Sequence, residues 1–161
     1  MLLRNAIDML RVGMADYQIG DHARLLSAVR NLHGGVILLY KEALRRLSPA
    51  GSEDVLVKER ILPKRLPDGT IVFQGTGKRT ANVDTIRERF ESLGLGVDWK
   101  RLETVTKARN NAEHYFSDLK KSALGGVVSN CMVLVRDFMV NELKLDPKSN
   151  LGDEAWNAML G

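Results

Sequence analysis

The chain has 161 residues, 44% of them hydrophobic and 27% charged, with a formal net charge of +4; this suits one folded domain, 1–161, and excludes a chain dominated by disorder. Its one cysteine, Cys131, excludes an internal disulfide and a multi-cysteine zinc site, and its apolar neighbours mark it as a small buried hydrophobe. No uncharged apolar run approaches the roughly 20 residues that cross a bilayer, so a cytoplasmic protein with no membrane partner is expected.

Over 2–17, Leu2, Leu3, Ile7, Leu10 and Met14 recur at helical spacing, and the charges among them indicate an amphipathic helix rather than a signal peptide. Gly20 breaks the pattern, and Asp21 is placed to cap a long second helix over about 22–47. Leu25, Val29, Leu32, Val36, Leu39, Ala43 and Leu47 form its apolar stripe, and Ser48-Pro49 ends it.

Residues 49–80 change in character. Val55-Leu56-Val57 and Thr70-Ile71-Val72-Phe73 read as strands joined through a Pro67-Asp68-Gly69 turn, a hairpin-bearing insertion with Lys58, Arg60, Lys64, Arg65, Lys78 and Arg79. Gly75-Thr76-Gly77-Lys78-Arg79-Thr80 fails the phosphate-loop pattern, since Val72 replaces the first glycine and Arg79 the Ser/Thr, and reads as a basic loop. Thr85-x-x-Glu88 is a capping-box pattern opening a short helix with Ile86, Phe90 and Leu93 on its apolar side, closed by Gly94.

Asp98 caps a further helix over about 99–117, with Trp99, Leu102, Val105, Ala108, Ala112 and Phe116 facing inward. A fourth principal helix covers 122–143 with Leu124, Val127, Val128, Cys131, Leu134, Phe138 and Val140 on its apolar side; Gly125-Gly126 lowers helix propensity there but allows close helix approach. Asp146-Pro147 breaks it, and a short helix fills 153–160. Four principal helices with short connections predict an all-α, up-and-down four-helix bundle carrying a small β-hairpin insertion.

The chemistry-bearing run is Lys107-Ala108-Arg109-Asn110-Asn111-Ala112-Glu113-His114-Tyr115. On a helix Asn110 and His114 share a face, as do Arg109 and Glu113. Arg109 and His114 are separated by about 7.5 Å along the axis and about 140° around it, so a shared site is more easily assembled with a second helix or a second subunit. A guanidinium offers paired donors to a phosphate and stabilises a pentacoordinate transition state. An imidazole exchanges protons near neutrality, and the Asn110 amide can orient the ring or hold a phosphate oxygen. These groups suit metal-free attack of an RNA 2′-hydroxyl on its own phosphate. Lys107 and Tyr115 are candidate substrate contacts. The competing reading makes Arg109–Glu113 a plain ion pair in a structural helical dimer. His33, beside Gly34-Gly35, either reaches the same cleft or packs where two helices meet, and three scattered histidines give no metal-ligand spacing, so neither metal nor cofactor is expected.

The run 109–114, an Arg followed by a polar residue and then a His within one helix, resembles the motif of the HEPN superfamily. Asn31-Leu32-His33-Gly34-Gly35-Val36-Ile37-Leu38-Leu39-Tyr40-Lys41-Glu42-Ala43-Leu44 is similar to the long helix of that superfamily, and the likeness covers most of 20–143. The insertion 49–80 has no counterpart in a generic HEPN core. The resemblance implies a homodimer whose two motifs face each other, with Arg109 and His114 catalytic and Asn110 in support. It also implies RNA as substrate, and either a toxin with a protein antitoxin or an antiviral effector. Its alternative is an inactive HEPN module that binds RNA, a nucleotide or a protein partner.

Overall fold

The computed structural model describes residues 1–114 and 120–160. In chain order the elements are α1 (Leu2–Ile19), α2 (His22–Leu47), β1 (Lys58–Arg65), β2 (Ile71–Thr80), α3 (Val83–Leu93), α4 (Trp99–His114), α5 (Lys121–Phe138), α6 (Pro147–Leu151) and α7 (Asp153–Leu160). The fold is mainly α with one two-stranded antiparallel sheet among the described residues. The chain forms two compact units: Met1–Leu39 with Val97 onward, and Tyr40–Gly96.

In the first unit α1 buries Ala6, Leu10 and Met14, spaced four apart on one stripe. Glycines let α2 come close. A β-carbon at Gly35 would stand 2.7 Å from Leu10 Cγ, and one at Gly13 would stand 2.9 Å from Leu32 Cγ. Gly20 ends α1 in the left-handed region (φ 72°), its N–H donating to the Asp16 carbonyl. Asp21 caps α2 by accepting from the Arg24 N–H. The buried Asp16 carboxylate joins the two helices, accepting from Arg24 Nη1 at 2.9 Å and from Ser27 Oγ.

Helix α4 packs on α5, and α1 on α6 and α7. Leu102 and Val105 of α4 are buried, as are Leu124, Cys131, Leu134, Val135 and Phe138 of α5. The inner stripe of α5 then runs into a π-helical turn, Met139–Leu143, closed by a left-handed Lys144. The wide turn rotates the register, so Val140, expected on the apolar side, is 49% exposed, whereas Met139 and Leu143 are buried. Lys121–Leu143 is long and apolar enough to cross a membrane by length and composition, although the uncharged stretch within it is bounded by Lys121 and Arg136. The close approach expected at Gly125-Gly126 is not what these glycines provide. Gly125 meets only the Tyr17 hydroxyl at ordinary contact distance, and among the described residues nothing lies within 4 Å of a β-carbon at Gly126. Asp146-Pro147 both ends the preceding helix and starts one that the sequence did not announce, α6, in which the Asp146 side chain accepts from the Ser149 N–H.

In the second unit Tyr40, Leu44, Val55, Val57, Ala81, Ile86 and Phe90 form the core, with the Tyr40 and Phe90 rings meeting edge to face at 5.5 Å. Val55-Leu56-Val57 is not a strand. Glu53 and Asp54 both adopt φ 53°, and Val57 N–H closes a turn on the Asp54 carbonyl, so the β-branched Val55 and Val57 serve burial instead of pairing. The sheet begins at Lys58, with Ile61↔Gly75, Pro63↔Phe73 and Arg65↔Ile71 in register. The expected turn is present: Gly69 takes φ 88°, and Asp68 Oδ1 accepts from the Thr70 N–H. The run 75–80 is part of β2 and not a basic loop. Arg89 Nη1 donates to the Leu56 and Lys58 carbonyls, fastening the base of the hairpin to α3. Helix α3 starts earlier than the Thr85-x-x-Glu88 pattern suggests, because Asn82 is the capping side chain and Thr85 supplies the N–H it accepts. Leu93, expected on the apolar side, is 43% exposed in the last turn of α3, which a left-handed Gly94 closes.

Candidate functional site

Helix α4 presents the candidate residues over its last two turns. Arg109 is half-buried, and Lys107, Asn110 and His114 are exposed. Tyr115 and Phe116 lie outside the described residues.

Side-chain contacts tie this helix to α5 and α2. Arg101 Nη1 donates to Asn130 Oδ1 of α5 at 2.7 Å. The buried His33 of α2 meets Thr106, with Nε2 3.1 Å from Oγ1. At the far end the Arg30 guanidinium binds the Glu113 carboxylate through Nε and Nη2, a bidentate pair. Arg30 and His33 are three apart on α2, and each reaches α4 from the same face. Two links thus lie on the α2 side, one on either side of Arg109 in sequence.

The Arg109–Glu113 ion pair anticipated from i,i+4 spacing does not form as such, because Arg30 occupies the carboxylate. The Arg109 guanidinium has a long contact, 3.5 Å from Nη1 to Asn110 Oδ1, which is weak by hydrogen-bond geometry. Its charge is felt on two sides. Glu113 is held below the usual carboxylate range first by the Arg30 hydrogen bonds, and further by the charges of Arg109 and His114. The imidazole of His33 is pushed down to about 4, chiefly by burial and then by Arg109. His33 is therefore neutral at pH 7. Of the two roles considered for it, it packs between helices and also lies within the field of Arg109.

The sequence reading missed Arg30 altogether. The available signal was its position three residues before His33, on the face of α2 that carries a histidine toward another helix.

Cys131 is buried, and its thiol is pushed up to about 12 by desolvation, which suppresses the nucleophilic thiolate. Among the described residues no group of three or more His, Cys, Asp or Glu is arranged to hold a metal ion. An open groove lies elsewhere in the same unit, lined by Asp8, Arg11 and Ala15 of α1 and by Glu154 and Ala158 of α7.

What the α4 end can do follows from its groups. Arg109 offers guanidinium donors to an anionic oxygen, and His114 presents an exposed imidazole able to move a proton. Compared with family models, curated proteins and solved structures, the chain matches none.

Proposed function

We propose that this chain is a HEPN-type endoribonuclease, an up-and-down bundle of α1, α2, α4 and α5 that cleaves RNA without a metal ion. The observation that carries the reading is the diversion of Glu113 to Arg30. The bland account of the motif uses Arg109 up in a local ion pair, and that pair is replaced by a link to another helix. A half-buried guanidinium and an exposed imidazole, brought together from two protomers, are groups that recognition of a phosphodiester asks for.

In this reading Arg109 binds the non-bridging phosphate oxygens and stabilises the charge of the phosphorane. Asn110 holds the guanidinium or a phosphate oxygen. His114 takes the proton from the 2′-hydroxyl, the 2′-oxygen forms its bond to phosphorus, and the P–O5′ bond breaks with protonation of the departing 5′-oxygen. The products are a 2′,3′-cyclic phosphate and a 5′-hydroxyl. Because Arg109 and His114 point about 140° apart on one helix, a homodimer that brings two motifs together supplies both proton carriers. Lys107 and Tyr115 serve as substrate contacts. Such an activity fits a cytoplasmic toxin restrained by an antitoxin, or an antiviral effector.

The test is digestion of RNA by the purified chain with and without EDTA, beside Arg109→Ala and His114→Ala. Cleavage that survives the chelator, ends in a cyclic phosphate and falls by about 10²–10⁴ in either variant supports the reading. RNA binding that His114→Ala leaves intact, with cleavage by no preparation, assigns the chain to the inactive binding modules instead.

A further inference from the structure

The charge of the chain is unevenly placed. Residues 58–80 carry Lys58, Arg60, Lys64, Arg65, Lys78 and Arg79 against Glu59 and Asp68, an excess equal to the +4 of all 161 residues. The remainder of the chain is formally neutral. Lys58 is engaged, with Nζ donating to the Gly77 carbonyl. Among the described residues no ion pair involves the other five, and all five are exposed. Beside that charge the hairpin exposes large apolar side chains: Phe73 is 58% exposed, Ile71 48% and Leu62 41%.

The register sorts these groups. Pro63 and Phe73 are direct partners on one face, and Arg65, partner of Ile71, is the diagonal neighbour of Phe73 on that face. Arg60 and Lys64 point to the other face, opposite Thr76 and Val72. One face therefore pairs an accessible aromatic ring with a guanidinium, and the reverse face carries two more cations.

We propose that the β1–β2 hairpin is a binding arm for single-stranded nucleic acid, with Phe73 stacking on an unpaired base, Arg65 contacting the adjacent phosphate on that face, and Lys64 and Arg60 contacting flanking phosphates where the strand passes round the open edge of β1. A polyanion matches the localised charge, and an exposed ring flanked by cations matches a strand whose base faces are free, which a duplex hides. The tip argues against a membrane occupant. It is the polar Pro67-Asp68-Gly69-Thr70 turn, with Asp68 accepting from the Thr70 N–H, whereas a lipid-inserting hairpin carries its apolar side chains at the tip. The arm would serve the ribonuclease reading but does not depend on it.

The experiment is fluorescence anisotropy with labelled oligouridylate, using the full chain carrying His114→Ala so that the probe stays intact, over a series of salt concentrations. Phe73→Ala should weaken binding by about tenfold with the salt dependence unchanged. Lys64→Glu/Arg65→Glu should weaken it further and lower the slope of log affinity against log salt by about 1.4, the loss of two phosphate contacts. Oligothymidylate should bind comparably, and the paired duplex more weakly. Each substituted side chain is exposed, and an unchanged thermal melt confirms the fold of each variant. The proposal is overturned if both variants bind as the parent does, or if polyglutamate or phosphatidylserine vesicles bind the parent as tightly as the oligonucleotide. Loss of binding in the arm variants, with no RNA cut by the unsubstituted chain, keeps the arm and removes the ribonuclease. Cleavage by the unsubstituted chain with unaltered binding by the arm variants does the reverse.

Discussion

Glu113 takes both of its ion-pair bonds from Arg30, 83 residues away on α2, and not from Arg109 one turn below it on α4. The pair ties the turn that bears His114 to a second helix. It also keeps the Glu113 carboxylate from pairing with Arg109, the guanidinium that the proposed function assigns to phosphate.

In the proposed ribonuclease Arg30 is a positioning residue. Arg30→Ala should lower RNA cleavage on the order of tenfold by loosening the helix end. The exchange Arg30→Glu/Glu113→Arg should restore part of the loss, because the link is rebuilt with reversed polarity. Amide hydrogen exchange at 110–114 should rise in the single variant and fall back in the exchange. Full activity in Arg30→Ala would show that the link plays no part.

His33 makes stability depend on pH. The folded chain holds it neutral down to about 4, while in the unfolded chain it protonates near 6.5. As pH falls through that window the unfolded chain takes up the proton first, so stability declines and the contribution is gone below the lower value. The loss is at most about 3 kcal/mol. Carboxylates such as Glu42, held down by Arg45 and Arg46, also lose their contribution as pH falls. The difference between the parent and His33→Gln isolates the histidine. Urea midpoints measured across pH 4–6.5 should fall less steeply in the variant.

Two glycine substitutions should have opposite signs. Gly35→Ala places a methyl against Leu10 Cγ and should cost about 1–3 kcal/mol despite better helix propensity. Gly126→Ala meets nothing within 4 Å among the described residues and should stabilise by up to about 1 kcal/mol. Thermal melts of the two proteins decide it, and stabilisation by both would mean that α1 and α2 have room to separate.

Cys131 should resist alkylation. With its thiol pushed up to about 12 and its side chain buried, iodoacetamide at mild alkaline pH should label it only after unfolding, as read by intact mass. Rapid labelling of the native chain would contradict the packing of α5.

The helices were legible because long stripes at 3.6 spacing leave little ambiguity, and α2 begins and ends where Asp21 and Ser48-Pro49 place it. Short apolar runs were not: Val55-Leu56-Val57 satisfies a core as readily as a sheet, and only the left-handed Glu53 and Asp54 decide which. The cap of α3 was misplaced because Thr85 is adequate for that role when Asn82, three residues earlier, is overlooked. At the site, the α4 spacing of Arg109, Asn110 and His114 was readable from the chain alone. The link to Arg30 was not, since i,i+4 geometry offers Glu113 a nearer cation and only tertiary packing brings the farther one closer.

The widened turn at Met139–Leu143 gives the chain slack in one place. Removing Asn141 would convert it to ordinary helical geometry with Met139 and the former Leu143 still on a common side. The same deletion at Cys131 would swing every later side chain by about 100° and carry Leu134, Val135 and Phe138 out of the core together. Loss of one residue is thus absorbed within Met139–Leu143 and ruinous within the buried stripe of α5.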